Sequence, residues 1–242
     1  MAETDRDRMS DAIRVWLGNL KNEPGWKEWR RKLVARTLYF DDPFPLEVQP
    51  VLEDFVFSDA IEKQHAVVTQ YIGLQQTIYS LKECEYYFRR FPFRGLPVTR
   101  YGHLTNVCEM YFSKFYEFKE RMKKYFKAVK AAAPNHGLDI GKLIKLFETE
   151  FDQELRARNG VHHDRRFEDI AIDRVFLTEV ISLKDRDRGW KREEHMVAYR
   201  KVVGEWAQRV RVSGSKMDVF LEAIAKVTLQ TCIFLKPSQP HS

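Results

Sequence analysis

The sequence predicts an all-α fold, a helical bundle organised on one long spine helix, and three observations carry that expectation. Apolar residues recur at three- and four-residue spacing in nearly every segment between Pro/Gly clusters. Gly (11) and Pro (9) are scarce among 242 residues, whereas a sandwich or barrel needs a turn about every 8–12 residues. With 44% hydrophobic and 13% aromatic residues the chain can bury a core, and 31% charged residues supply a soluble surface, which excludes disorder as the main state.

The elements follow in chain order. Ser10 is placed to cap a short amphipathic helix through Ile13, Trp16, Leu17 and Leu20, and Pro24 suits the first turn of a second helix carrying Trp26, Trp29 and Leu33. After the Pro-rich stretch from Asp41 to Pro50, a long helix starts near Ser58 and runs through Ile61, Val68, Ile72, Ile78 and Leu81 toward Tyr87; Pro92, Gly95 and Pro97 end it. The spine comes next, because Leu104, Cys108, Tyr111, Phe115, Phe118, Met122, Tyr125 and Val129 line one helical face. Beyond the turn from Pro134 to Gly137, Asp139 caps a helix with the stripe Leu143, Phe147, Phe151 and Leu155. The segment 170–183 is read as helix, although its β-branched residues partly alternate. Two last helices, about 190–210 and 216–235, are joined by a Ser213-Gly214-Ser215 turn. The break near Pro97 divides the chain into an N-terminal helical region of unknown role (1–99), a helical bundle (100–236) and a loose tail (237–242).

The balance of 41 Lys+Arg against 35 Asp+Glu gives a net charge of +6, which permits a polyanionic partner without demanding one. Cys84, Cys108 and Cys232 form no C-x-x-C pair and are odd in number, so they read as reduced core thiols. The segment Met-Ala-Glu-Thr-Asp-Arg-Asp-Arg at the start is charged, and no stretch approaches the ~18 apolar residues of a membrane span. The expectation is a cytoplasmic protein with no membrane partner.

Several chemistries are excluded by missing motifs. No G-x-x-x-x-G-K-[ST] or G-x-G-x-x-G is present to cradle phosphates, and no H-E-x-x-H or G-x-S-x-G occurs. A di-iron bundle needs two Glu-x-x-His pairs, and the sequence offers Glu62/His65 alone, better read as a solvated polar face. No cofactor or metal is expected.

One constellation survives. From Glu154 to Arg166 two imidazoles sit among four guanidiniums where an apolar helix runs out. Phe151, Leu155 and Arg158 share one helical face, so the Arg158 charge points along the packed stripe and needs a partner or a task. Asn159-Gly160 reads as a helix-ending pair, which would put the histidines on the following turn or a restarted helix. If the helix instead continues, His162 stacks beneath Arg158 and His163 lies about 140° away, so which imidazole meets Arg158 is open.

The run Arg158-Asn159-Gly160-Val161-His162-His163 resembles the signature of the HEPN superfamily, in which an Arg is followed by Asn, Asp or His and, after four to six intervening residues, by a His. Arg158, Asn159 and His163 fit at the shortest spacing; His162 fits only if Arg156 is the motif Arg. Arg188 and His195 repeat the spacing with Gly189 in place of the polar residue. The resemblance covers about 101–235. It implies a homodimeric helical bundle whose two motifs face each other across a shared cleft, and in many members that cleft cleaves RNA without metal. It also implies a toxin or defence role, with an antitoxin-like protein partner restraining the activity.

The chemistry has a first-principles basis. An imidazole titrates near 6.5, so His163 could take the proton of a ribose 2′-hydroxyl at neutral pH. Arg158 could hold the phosphate bidentately, and Asn159 could orient phosphate or ring. Arg156, Arg165 and Arg166 are candidate substrate contacts, although charge runs are commonly solvated. Arg158 could equally pair with Glu154 one turn back, and His162, His163 and Asp164 are too few for a confident metal set. Two further basic stretches, Lys119 to Lys130 with Tyr125 and Phe126, and Arg186 to Arg192 with Trp190, could bind and stack RNA if the aromatics are exposed, but core aromatics beside a solvated basic face are the better reading. The alternatives are a non-catalytic helical interaction module, or a nucleotide-binding bundle with a pocket lined by Trp16, Trp26, Trp29, Trp190 and Trp206.

Overall fold

The computed structural model describes residues 3–40, 53–93, 95–134, 137–163, 169–184 and 189–236, with backbone alone at 37–40, 159–163, 182–184 and 189–190. Within them the chain forms α1 (Asp5–Leu20), α2 (Trp26–Phe40), α3 (Asp59–Arg89), α4 (Arg100–Ala132), α5 (Ile140–Glu150), α6 (Asp152–His163), α7 (Ile170–Lys184) and α8 (Gly189–Thr231), then a 3-10 turn at Ile233–Leu235. No strand occurs among the described residues, so the fold is all-α. None of the described helices is long and apolar enough to cross a membrane. The 33 residues of α4 are approached by 31 in α3 and exceeded by 43 in α8, so great length is shared by three of the described helices.

The chain divides into two compact units, one of Met1–Val68, Ala128–His136 and Glu222–Ser242, the other of Thr69–Lys127 and Gly137–Leu221. In the first, α1 starts earlier than Ser10 suggested. Thr4 accepts from the Asp7 N–H while the Asp7 carboxylate accepts from the Thr4 N–H, so a capping box satisfies two orphan donors. Ser10 lies inside the helix, its hydroxyl donating to the Arg6 carbonyl at 2.9 Å. Met9, Ile13 and Trp16 form the buried stripe. The Trp16 indole N–H donates to Gln64 at 2.7 Å, and its ring stacks on His65 with centroids 6.3 Å apart. His65 thus serves as an aromatic neighbour, Glu62 is exposed, and no metal-ligand cluster exists among the described residues. Pro24 stands in the turn ahead of α2, where Gly25 takes the left-handed φ of 81° that a Cβ would strain. Trp26 and Trp29 then stack at 5.0 Å and pack on Phe55 and Phe57.

The second unit is built around α4, whose Leu104, Cys108, Tyr111, Phe115, Phe118, Met122 and Tyr125 are all buried as their spacing required. The link from α3 to α4 is held by His103, whose Nε2 lies 2.9 Å from the Tyr87 carbonyl and whose ring meets Phe91 and Phe93 edge-on. Because a carbonyl only accepts, Nε2 carries the proton there. Asp169 caps α7 by accepting from the N–H groups of Ala171 and Ile172, which settles the alternating 170–183 segment as helix. All three cysteines are free and buried. Burial pushes the Cys84 thiol up to about 12 and that of Cys232 up to about 11, and raises Cys108 as well.

The expected turn at Ser213-Gly214-Ser215 does not form; these residues continue α8. They mark close approach instead of reversal. Ser213 is buried and its hydroxyl meets the Tyr111 hydroxyl at 2.9 Å, while a Cβ on Gly214 would lie 3.0 Å from Lys82 Cγ. Nearby, Trp206 stacks on Phe88 at 5.4 Å and meets Tyr111 and Phe112 edge-on. Trp206 is therefore core in the second unit, while Trp16 and the Trp26–Trp29 pair are packed within the first. The side chain of Trp190 lies outside the described residues.

Removing one partner of a buried hydroxyl pair leaves the other unsatisfied, at about 1–3 kcal/mol. Ser213→Ala is expected to lower stability by that order in urea denaturation. The double variant with Tyr111→Phe should cost less than the two single losses added together, because neither hydroxyl is then stranded.

Candidate functional site

Aromatic packing decides where the motif helix sits. Phe147 and Phe151 are fully buried, 4.8 Å apart, against Phe118, Phe115 and Phe220 at centroid distances of 5.2–5.7 Å. Each buried Phe or Leu contributes about 1.5–3 kcal/mol, against about 0–1 kcal/mol for an exposed ion pair. The aromatic contacts, and not the surface charges, therefore fix α5 and the root of α6. The chain bends at Phe151, whose φ of −114° takes it out of α5, and α6 begins at once with Asp152 and Glu154 in its first turn, complementing the helix dipole.

The pair Asn159-Gly160 does not end the helix; α6 continues through both to His163. A helical Gly costs about 1 kcal/mol relative to Ala, too little to stop a helix already nucleated on Phe151 and Leu155. On this continuous helix His162 lies about 6 Å along the axis and about 40° round from Arg158, while His163 lies about 20° from Arg156. The motif is thus divided between two helical faces, Arg158 with His162 and Arg156 with His163. The side chains of Asn159, His162 and His163 lie outside the described residues, as do Arg165 and Arg166 altogether.

Arg158 is half-buried, and its guanidinium carbon stands 3.9 Å from the centre of the Tyr116 ring of α4. A cation over an aromatic face is attracted by the ring quadrupole, by about 0.5–2 kcal/mol. Stacking of this kind engages the plane of a guanidinium, whereas phosphate recognition uses its in-plane N–H groups. The Lys119 ammonium also stands over Tyr116, at 5.5 Å, and pairs with Glu148 at 3.3 Å. Two cations therefore converge on Tyr116, one of them already paired with a carboxylate.

The charges around it are engaged. Glu154, one turn before Arg158, accepts from Arg209 at 3.2 Å, and the Arg209 guanidinium lies 4.9 Å from the Trp206 ring centre. Arg156, the expected substrate contact, is exposed and bonded to Asp152 at 2.8 Å. Tyr125 and Phe126 are buried in the core, as the better reading of that stretch has it, and cannot meet a base. Lys124, Lys127 and Lys130 beside them are exposed. Residues 185–188 of the second basic stretch lie outside the described residues, and His195, the other His at motif spacing, is buried and out of reach of a substrate.

His195 belongs to a buried polar group that the sequence did not single out. Its Nδ1 lies 3.1 Å from the Thr178 hydroxyl, which itself stands 3.0 Å from the Arg174 and Val175 carbonyls. The single hydroxyl proton goes to those carbonyls, so Thr178 accepts from Nδ1–H. Nε2, the Tyr199 hydroxyl and the Arg100 Nε are buried without a hydrogen-bond partner among the described residues. The Glu179 carboxylate accepts from the Arg100 backbone N–H at 3.4 Å, and the Arg100 guanidinium lies 5.4 Å from the Tyr199 ring centre. The only signal for this group in the sequence is a His and a Tyr four residues apart.

No protein-family model, no curated protein and no solved structure matches this chain.

Burial lowers the His195 pKa most; Glu179 and a bond to the Val175 carbonyl oppose that shift, and Arg100 reinforces it. The unfolded chain, with an ordinary value near 6.5, then binds the proton more readily than the folded one. Stability is expected to fall as pH drops through about 6.5. Urea midpoints between pH 5 and 8 should slope downward toward acid in the wild type and be flatter in His195→Gln.

Proposed function

We propose that this chain is an HEPN-like, metal-independent endoribonuclease acting as a homodimer, with two copies of α6 facing each other across one RNA-binding cleft. The observation that carries the reading is the Arg158 guanidinium held over Tyr116 on the same unbroken helix that bears Asn159, His162 and His163. A restrained toxin or defence role in the cytoplasm, with an antitoxin-like partner, belongs to the same reading, and the three free buried thiols fit a reducing compartment.

The residues supply each step. A neutral imidazole takes the proton of a ribose 2′-hydroxyl, the 2′-oxygen attacks phosphorus, and the bond to the 5′-oxygen breaks. That oxygen takes a proton from the imidazolium or water, leaving a 2′,3′-cyclic phosphate and a 5′-hydroxyl. Arg158 stabilises the extra negative charge on the five-coordinate phosphorus, with Lys119 beside it. Motif spacing selects His163 as the base, and the helical face shared with Arg158 selects His162. Asn159 orients the phosphate or the ring.

Purified protein incubated in EDTA with end-labelled RNA and DNA of one sequence is expected to cut only the RNA. His162→Ala or His163→Ala, whichever removes the base, should slow cleavage by about 10²–10⁴-fold. Arg158→Lys should be impaired, since an ammonium cannot make the bidentate contact. Sedimentation should give twice the 28.8 kDa chain mass. Cutting of DNA as well, or no cleavage by any form of the intact dimer, overturns the nuclease reading; the latter leaves a non-catalytic module.

A further inference from the structure

Between residues 21 and 36 the chain carries six cations and two carboxylates, a strong local bias in a protein of net charge +6. The structure sorts these charges. Trp26, Trp29, Leu33 and Arg36 recur at helical spacing along one side of α2, and Trp26 and Trp29 are packed by Phe55 and Phe57. Lys27, Arg30, Arg31 and Val34 fall at i, i+3, i+4 and i+7, a second stripe, and all four are exposed. This stripe lines a groove of about 500 Å³ with Lys21 and Trp26, and no carboxylate lines it. The Glu28–Lys32 pair, at 3.1 Å, lies on a different side of the helix.

From these observations we infer that the α2 groove is a second nucleic-acid contact, a docking surface for the phosphate backbone of single-stranded RNA. Lys27, Arg30 and Arg31 on α2, with Lys21 just ahead of it, line the groove without a carboxylate among its lining residues, and this concentration of positive charge matches a chain of negative charges. A helix that lies on a membrane inserts its apolar face between lipids. Here the indoles are packed by Phe55 and Phe57, and the exposed stripe carries Lys27, Arg30 and Arg31 with Val34 as its one large apolar side chain, so a bilayer is the poorer fit. The choice of RNA over other polyphosphates rests on the function proposed above; the groove itself does not depend on cleavage.

The test separates the two. A fluorescein-labelled, fully 2′-O-methylated 20-nucleotide RNA cannot be cut through its 2′-oxygens, so anisotropy titrations against it report binding alone. Each phosphate contact to a single strand contributes about 0.7 to the slope of log K against log salt. The triple variant Lys27→Gln/Arg30→Gln/Arg31→Gln should lower that slope by about 2 and weaken binding at least tenfold. Lys124→Gln/Lys127→Gln/Lys130→Gln removes the same charge from exposed positions on α4 and should change the slope by less than half as much. Both triples alter exposed side chains, and unchanged circular dichroism shows that each is folded. A wild-type slope in the α2 variant, or equal losses in both triples, overturns the inference, as does binding to phosphatidylserine vesicles without binding to the RNA. A slope change in α2 with no cleavage by any form sinks the nuclease reading and leaves the groove standing; cleavage with an unchanged slope does the reverse.

Discussion

The site depends on the phenylalanine seam that roots α5 and α6 on α4. Phe147 and Phe151 press against Phe115, Phe118 and Phe220, and the bend at Phe151 sets the direction in which α6 leaves. Because a helix is rigid over two or three turns, fixing its root fixes the placement of Arg158 two turns on. The cation over Tyr116 is then a consequence of that geometry, not its cause: ring stacking is worth less than one of the buried aromatics beneath it.

A second layer of order is polar and partly hidden. Glu154 is held by Arg209, and Arg209 lies over Trp206, so a carboxylate on the motif helix is tied to the aromatic centre of the second unit. In such a setting the ion pair fixes register more than it adds stability, since desolvation offsets much of the attraction. His195, Thr178, Arg100, Glu179 and Tyr199 make a comparable arrangement where α4 begins, with the imidazole donating from Nδ1 to a hydroxyl whose own proton is committed. Both groups place charge and hydrogen bonding where they restrict alternative packings.

What could be read from the sequence was what local chemistry determines. Asp139 caps α5 by accepting the Lys142 N–H at 2.9 Å, and the buried stripe of α4 follows its three- and four-residue spacing, because caps and periodicity are settled within one element. The errors arose where a neighbouring element decides. Ser213-Gly214-Ser215 has turn composition, yet its small side chains are there to admit Tyr111 and Lys82. Asn159-Gly160 has the composition of a helix stop and is crossed by a helix anchored several residues earlier. Of the candidate site, the face shared by Phe151, Leu155 and Arg158 was legible; Tyr116 as its platform was not, since nothing local links two residues 42 positions apart.

The three cysteines lend the molecule a practical property. Cys84, Cys108 and Cys232 are buried and held as neutral thiols far above physiological pH, and it is the thiolate that attacks electrophiles. Maleimides and spin labels thus meet a chemically silent background in the folded protein. A single cysteine introduced on the surface of α2 or α6 becomes a unique attachment point without stripping the native ones.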